Sequence, residues 1–168
     1  IHTFAGTDNG VKPEQVGSAI GVEFSTLDDL VIATGSGGNV YIGEQNGKRL
    51  YMVSDTGIIT TGDNDKATGI AIQTSIQPQG LAFYGGDRVI FINDGGSVLM
   101  GHKRILKHDI DSNSTATVAG TGKAGFEGDG GPATSARFKK PRGLAVDSYG
   151  NLYIADTDNH RVRVIRKP

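Results

Sequence analysis

Apolar residues in this chain fall in short runs at successive positions, and each run is bounded by Gly, Asn or Asp. Leu152-Tyr153-Ile154-Ala155 follows the turn residues Ser148-Tyr149-Gly150-Asn151, and Val40-Tyr41-Ile42 follows Gly38-Asn39. Such runs predict β-strands, and apolar side chains at consecutive positions predict strands covered on both faces. Before each run lies an opening strand: Leu30-Val31-Ile32-Ala33, Gly80-Leu81-Ala82-Phe83 or Gly143-Leu144-Ala145-Val146. After it comes a third strand that starts at an Arg and alternates polar with apolar. A fourth strand is expected at Ile58-Ile59-Thr60 and at Ala116-Thr117-Val118-Ala119-Gly120. No segment has the period of a helix.

These elements repeat. Gly38-Asn39-Val40-Tyr41-Ile42-Gly43-Glu44 and Gly150-Asn151-Leu152-Tyr153-Ile154-Ala155-Asp156 keep one register with the Arg49 and Arg161 strands, 112 positions apart (38 to 150, 49 to 161). Val89-Ile90-Phe91-Ile92-Asn93-Asp94, then Arg104-Ile105-Leu106, is a looser copy between them. A strand-built repeat of roughly 40–60 residues points to a propeller or a β-solenoid. The expected fold is all-β, a β-propeller of three four-stranded blades near residues 24–61, 76–120 and 138–166. His2-Thr3-Phe4-Ala5-Gly6-Thr7 mirrors Thr117-Val118-Ala119-Gly120-Thr121, so residues 1–6 are expected to form a spare fourth strand. Propellers close with about 4–8 blades, so three would be half of a six-bladed ring. Cut faces of such a half-ring would expose apolar sheet, so a second copy, or the rest of a longer chain, is expected to cover them.

Composition agrees with this reading and narrows little else. Among 168 residues there are 26 glycines, suited to tight turns, and no cysteine. No apolar run approaches the ~18 residues of a membrane-spanning helix, and no signal peptide is seen. The chain starts at Ile1, as a processed product or a piece of something longer would. Net charge is −1 but unevenly spread: residues 137–168 hold eight Lys/Arg against three Asp, leaving nine basic and fifteen acidic residues before them.

The stretch 117–165 resembles the NHL repeat. The matching residues are Val118-Ala119-Gly120-Thr121-Gly122, the Gly128-Asp129-Gly130-Gly131-Pro132-Ala133-Thr134 segment, Pro141-Arg142-Gly143-Leu144-Ala145-Val146-Asp147, and residues 150–156 with Asn159-His160-Arg161. The other copies match less well: Leu27-Asp28-Asp29 stands in place of Pro141-Arg142-Gly143, and Asp94 and Arg104 are ten positions apart where Asp156 and Arg161 are five. The resemblance implies a propeller, usually six-bladed, used mostly to bind proteins, sometimes RNA, and in a related lyase to bind metal and catalyse.

Asp156 with Arg161, Asp94 with Arg104 and Glu44 with Arg49 recur in every copy, so they are expected to be structural hairpin salt bridges. Asn159 is expected to satisfy its turn, Phe126 to anchor the Gly-rich crossover of residues 125–132, and Tyr153 to lie in the core. Features that do not repeat are better candidates for binding. The long hairpin carries Gly95, Gly96, Gly101, His102 and Lys103, with His108 nearby; Lys139, Lys140 and Arg142 form a basic cluster with Tyr149 and Tyr153 in the same tail. Asp63-Asn64-Asp65 has hard oxygen ligands at alternate positions but lacks the glycine and distal Glu of a calcium loop, so a solvated turn is expected. The histidines His2, His102, His108 and His160 have no metal-ligand spacing. Asn113-Ser114-Thr115 fits the glycosylation pattern and leans the location toward the cell exterior. The expectation is therefore a non-enzymatic module, without cofactor or metal, that binds protein and assembles with itself. The alternatives are an RNA-binding propeller using the basic C-terminal blade, and a metal-dependent lyase or hydrolase.

Overall fold

In a computed structural model of the chain, residues 2, 16–18, 30–35, 38–44, 49–54, 58–61, 77–86, 88–95 and 103–167 are described. They form antiparallel sheets joined through hairpins. The first sheet contains β1 (Val16–Ser18), β2 (Leu30–Thr34), β3 (Val40–Glu44), β4 (Arg49–Val53) and β5 (Ile58–Thr61), in the order β1-β5-β4-β3-β2. The second runs β6 (Pro78–Tyr84), β7 (Val89–Asp94), β8 (Arg104–Asp109), β9 (Ser114–Ala119), and the third β10 (Pro141–Val146), β11 (Leu152–Asp156), β12 (Arg161–Ile165). Two 3₁₀ turns, Ala133–Ser135 and Thr157–Asn159, lie before and within the third sheet. β1 is a correction, because the sequence gives no strand signal at Val16–Ser18. This strand pairs with β5 and widens the first sheet to five strands. Apart from His2, the spare strand expected at residues 1–6 lies outside the described residues, as do the boundaries near residues 24 and 76.

Turn chemistry fixes the hairpins. The Asp147 carboxylate accepts the amide protons of Tyr149 and Asn151 at 3.0 and 2.9 Å and the Asn151 side-chain amide at 2.7 Å. Gly150 takes the positive φ of 88° that the turn requires. This Asx-type turn starts β11 in register, with Val146 opposite Leu152 and Tyr153 opposite Ala145.

The opening strands lie side by side, β6 between β2 and β10, so the second sheet is packed between the other two. Along β7, Ile90 and Ile92 face the first sheet, where they join Tyr41, Leu81 and Leu106. Phe91 points the other way, with Ile105, onto Phe138, Leu152 and Ile154 of the third. Two-sided cover is why this strand is apolar at successive positions. The first two sheets meet at Tyr41 and Phe83, whose ring centroids are 4.1 Å apart.

A fully buried carboxylate staples the third sheet. Asp156 accepts the backbone N–H of Lys139 at 2.7 Å and the side-chain amide of Asn159 at 2.8 Å. Asp94 repeats the arrangement, accepting the Gln77 amide at 3.2 Å with Arg104 at 3.9 Å. In each case the bond reaches 17 residues back, to the chain just before the opening strand. Glu44 stands opposite Arg49 in the same register.

Asp156 corrects one expected pair. Arg161 faces it across the hairpin, but the guanidinium that meets the carboxylate is that of Arg163, at 3.7 Å. Alternation puts both arginines on one face, and Arg163 is the one under the crossover. There it donates to the carbonyls of Arg137 and Glu127 at 2.7 and 3.0 Å and to Asp129 at 2.6 Å. Arg161 instead stacks on Phe126, 3.6 Å above the ring. Phe126 is thus an exposed cover on the crossover; the buried anchor is Phe138. Asn159 likewise reaches beyond its own turn, to the Gly125 carbonyl at 2.8 Å.

Arg163→Ala should therefore lower stability by about 1–3 kcal/mol, because it strips a buried carboxylate and two carbonyls of their donor. Arg161→Ala should cost no more than about 1 kcal/mol, the worth of an exposed cation–π contact. Denaturant titration of the two variants checks the order; equal losses, or a larger loss for Arg161, would restore the expected hairpin pair.

His108 gives a pH signature. It is buried in β8 with Nδ1 at 2.9 Å from the Thr115 hydroxyl, and its Nε2 meets no partner among the described residues. Burial holds its pKa below the ordinary 6.5, against a smaller opposing pull from Asp109. The unfolded chain then binds the proton more readily, so stability is full above the unfolded value of 6.5 and falls as pH drops through it. Thermal melts should show this decline toward pH 5 in the parent and a flatter curve in His108→Gln; parallel curves would remove His108 as its source.

Candidate functional site

The repeat makes the third sheet unusual. Register places Ala145, Tyr153 and Val162 where the second sheet has Ala82, Phe91 and Ile105. In the second sheet this face is pressed on the third, and Ile105 is 0% exposed. In the third sheet nothing among the described residues covers it: Val162 is 71% and Tyr153 37% exposed. Tyr153 is thus a surface residue where the core was expected. Its hydroxyl donates to Asp147 at 3.1 Å, a bond that raises the phenol pKa and pins the ring across the open face.

Along the outer edge runs a second feature. β12 has no strand on its far side among the described residues, whereas β9 fills that place in the second sheet. A groove of about 680 Å³ follows this edge, floored by Phe138 and Ile154 and walled by residues 128–131 and β12. An unpaired edge beside an open groove is the form in which sheets accept an added strand. Chemically the site offers apolar contact, backbone hydrogen bonds and positive charge.

The other sequence candidates lie apart. Lys139 and Arg142 are exposed where the chain enters β10. Beside them Lys140, at a left-handed φ of 45°, pairs with Asp158 at 3.4 Å. His102 and most of the long hairpin are outside the described residues; Lys103, at its end, is half-buried with a φ of 36°. His108 is separated from that hairpin by its burial inside β8. Asn113 is exposed in the β8–β9 turn with a φ of 50°. Asp63, Asn64 and Asp65 are outside the described residues, and among those described no three His, Asp or Glu gather as a metal site would need. Val162 escaped the sequence reading. Its match to Ile105 shows only when the unequal hairpins before the two strands are set aside.

Comparisons with known proteins fit this geometry. The family model of the NHL repeat matches residues 138–165, which contain Phe138 and the whole third sheet. Over 148 residues the chain is 31% identical to Protein SUPPRESSOR OF QUENCHING 1, chloroplastic, of Arabidopsis thaliana, covering 85% of this chain and 12% of that protein. Over 145 residues it is 28% identical to NHL repeat-containing protein 2 of Gallus gallus, covering 85% of this chain and 18% of that one. The chain thus spans less than a fifth of the length of these curated relatives. A crystal structure of a protein of unknown function from Bacteroides thetaiotaomicron VPI-5482 superposes with a TM-score of 0.59 at 24% identity, over 76% of this chain and 32% of that one. With its repeated strands, its stapled hairpins and these relatives, the chain belongs to the NHL-repeat family and has a propeller-like all-β fold.

Proposed function

We propose that this chain is a non-enzymatic protein-binding and assembly module whose interface is the open face and free edge of its third sheet. One observation carries the reading: Val162 is 71% exposed at the position where Ile105 is fully buried under a neighbouring sheet. Burying an aliphatic side chain of this kind contributes roughly 1.5 kcal/mol or more, so covering the face favours association. The edge adds backbone bonds, and the groove beside it suits a strand. Residues 2–7 resemble Thr117-Val118-Ala119-Gly120-Thr121 at the end of β9, so that segment of a second copy, or a flanking part of a longer chain, is the candidate occupant. Two copies about a two-fold axis would then give six sheets in a ring.

RNA is the second reading, favoured by the exposure of Lys139 and Arg142 beside Lys140. Phosphate contacts release counterions, so such binding weakens steeply with salt. Only weak RNA binding that fades near physiological salt is expected. A complex that survives there and is lost on neutralising Lys139, Lys140 and Arg142 would put RNA first.

Native mass spectrometry and sedimentation at micromolar protein test the assembly. The intact chain should run as a dimer, and Val162→Asp should run as a monomer with an unchanged circular dichroism spectrum. Deleting residues 1–7 should yield aggregated or unfolded protein. A stable, well-folded monomer of the intact chain would overturn self-assembly.

A further inference from the structure

We infer that the groove along β12 is a slot for one added strand, filled by residues 3–7 of a second copy. Ala5 then stands opposite Val162, and Gly6 lies against the His160 carbonyl. The inference rests on the assembly reading above and names its contact. It needs a free edge and a groove, but no seating of one sheet face on another.

The repeat identifies what belongs in the groove. β12 stands 112 positions after β4 (Arg49–Val53 to Arg161–Ile165). The wall at residues 128–130 stands 112 positions after β1 (Val16–Ser18). In the first sheet those two strands flank β5 and pair with it on either side. The groove is thus the place of β5, bounded as β5 is bounded. In the second sheet the same place, beside β8, is held by β9.

The seat of β9 shows what an occupant needs. Ala119 stands opposite Ile105, the equivalent of Val162, and is fully buried. The register shifts at this point, and the extra residue, Val118, packs on the cluster that holds Ile105. Gly120 follows at a φ of 89°, and a Cβ there would overlap the Lys103 carbonyl oxygen. Lys103 enters β8 at a left-handed φ of 36°, and His160, its equivalent before β12, has a φ of 53°. The bend that demands glycine beside β8 is therefore present beside β12. A strand for this slot carries a small residue opposite Val162, an apolar one before it and glycine after it.

One other segment of the chain has those features. Thr3-Phe4-Ala5-Gly6-Thr7 agrees with Thr117-Val118-Ala119-Gly120-Thr121 at four of five positions, and neither segment carries a charge. The difference is Phe for Val at the shifted position, beside Val162. A larger apolar side chain suits a neighbour that is 71% exposed where Ile105 is covered. Residues 3–7 precede β1 of the first sheet, and the second sheet lies between that sheet and the slot. A second copy brings them to the slot directly, and the exchange is reciprocal about a two-fold axis.

Two measurements on the full chain test the slot. Gly6→Ala should keep the parent's circular dichroism spectrum and weaken association by about tenfold or more, as a methyl at positive φ against a main-chain carbonyl does. The chain has no cysteine, so single thiols can be placed cleanly. A short thiol cross-linker should join Ala5→Cys to Val162→Cys when the two variants are mixed, and neither variant to itself. The double variant should then give a covalent dimer. A dimeric parent with unimpaired Gly6→Ala, without that link, or with Val162→Cys linking to itself would overturn the slot and leave assembly standing. A double variant linked within single chains would overturn the second copy as the source. A monomeric parent would overturn both readings.

Discussion

A sheet that is apolar on both faces has to be covered twice, and the arrangement of this molecule follows from that requirement. The second sheet meets it within the chain: Ile90 and Ile92 go to one neighbour, Phe91 and Ile105 to the other. The third sheet carries the same kind of side chain, and among the described residues it has a neighbour on one side only. The driving force that stacks the sheets is therefore also what makes the uncovered face of the third sheet apolar. Packed core and exposed apolar face are here one pattern of side chains, read at covered and uncovered positions.

Packing alone does not fix the register between sheets, since hydrophobic contact is non-directional. The buried carboxylates supply direction. Asp94 and Asp156 sit at the same place in consecutive sheets and bind a backbone amide just ahead of the opening strand. Asn93 then ties the second sheet to the third through the Pro141 and Arg142 carbonyls. Removing such a partner strands a polar group in a dry place, so these bonds resist exchange even where their net worth is small. Because the main contacts among the described residues run between adjacent sheets, stability is local, as in other repeat arrays.

Much of this was legible in the sequence because the repeat keeps its spacing. The 112-position register that aligns Tyr41 with Tyr153 also aligns the strands that carry them. Legibility failed where side chains answer to segments far along the chain. Arg161 is nearest to Asp156 across the hairpin, yet the crossover closes over Arg163 and decides the partner. Period-two alternation, which sets Arg163 on the same face, was the available signal. Tyr153 read as core because its copies are core, and a single sequence does not say which copy keeps an uncovered face. β1 had no signal of its own; it is a strand because β5 offers it an edge.

The staple at Asp94 also separates what lies above it from what lies below. Asp94 and Arg104 stand opposite each other in register, so the chain leaves the sheet and returns to it at neighbouring points. The closure cost of a loop between fixed ends grows only slowly with its length. The doubled hairpin of the second sheet relative to the third shows this tolerance already in use. That tip is accordingly a graft point, where a foreign peptide could be displayed without the sheets below being redesigned to hold it.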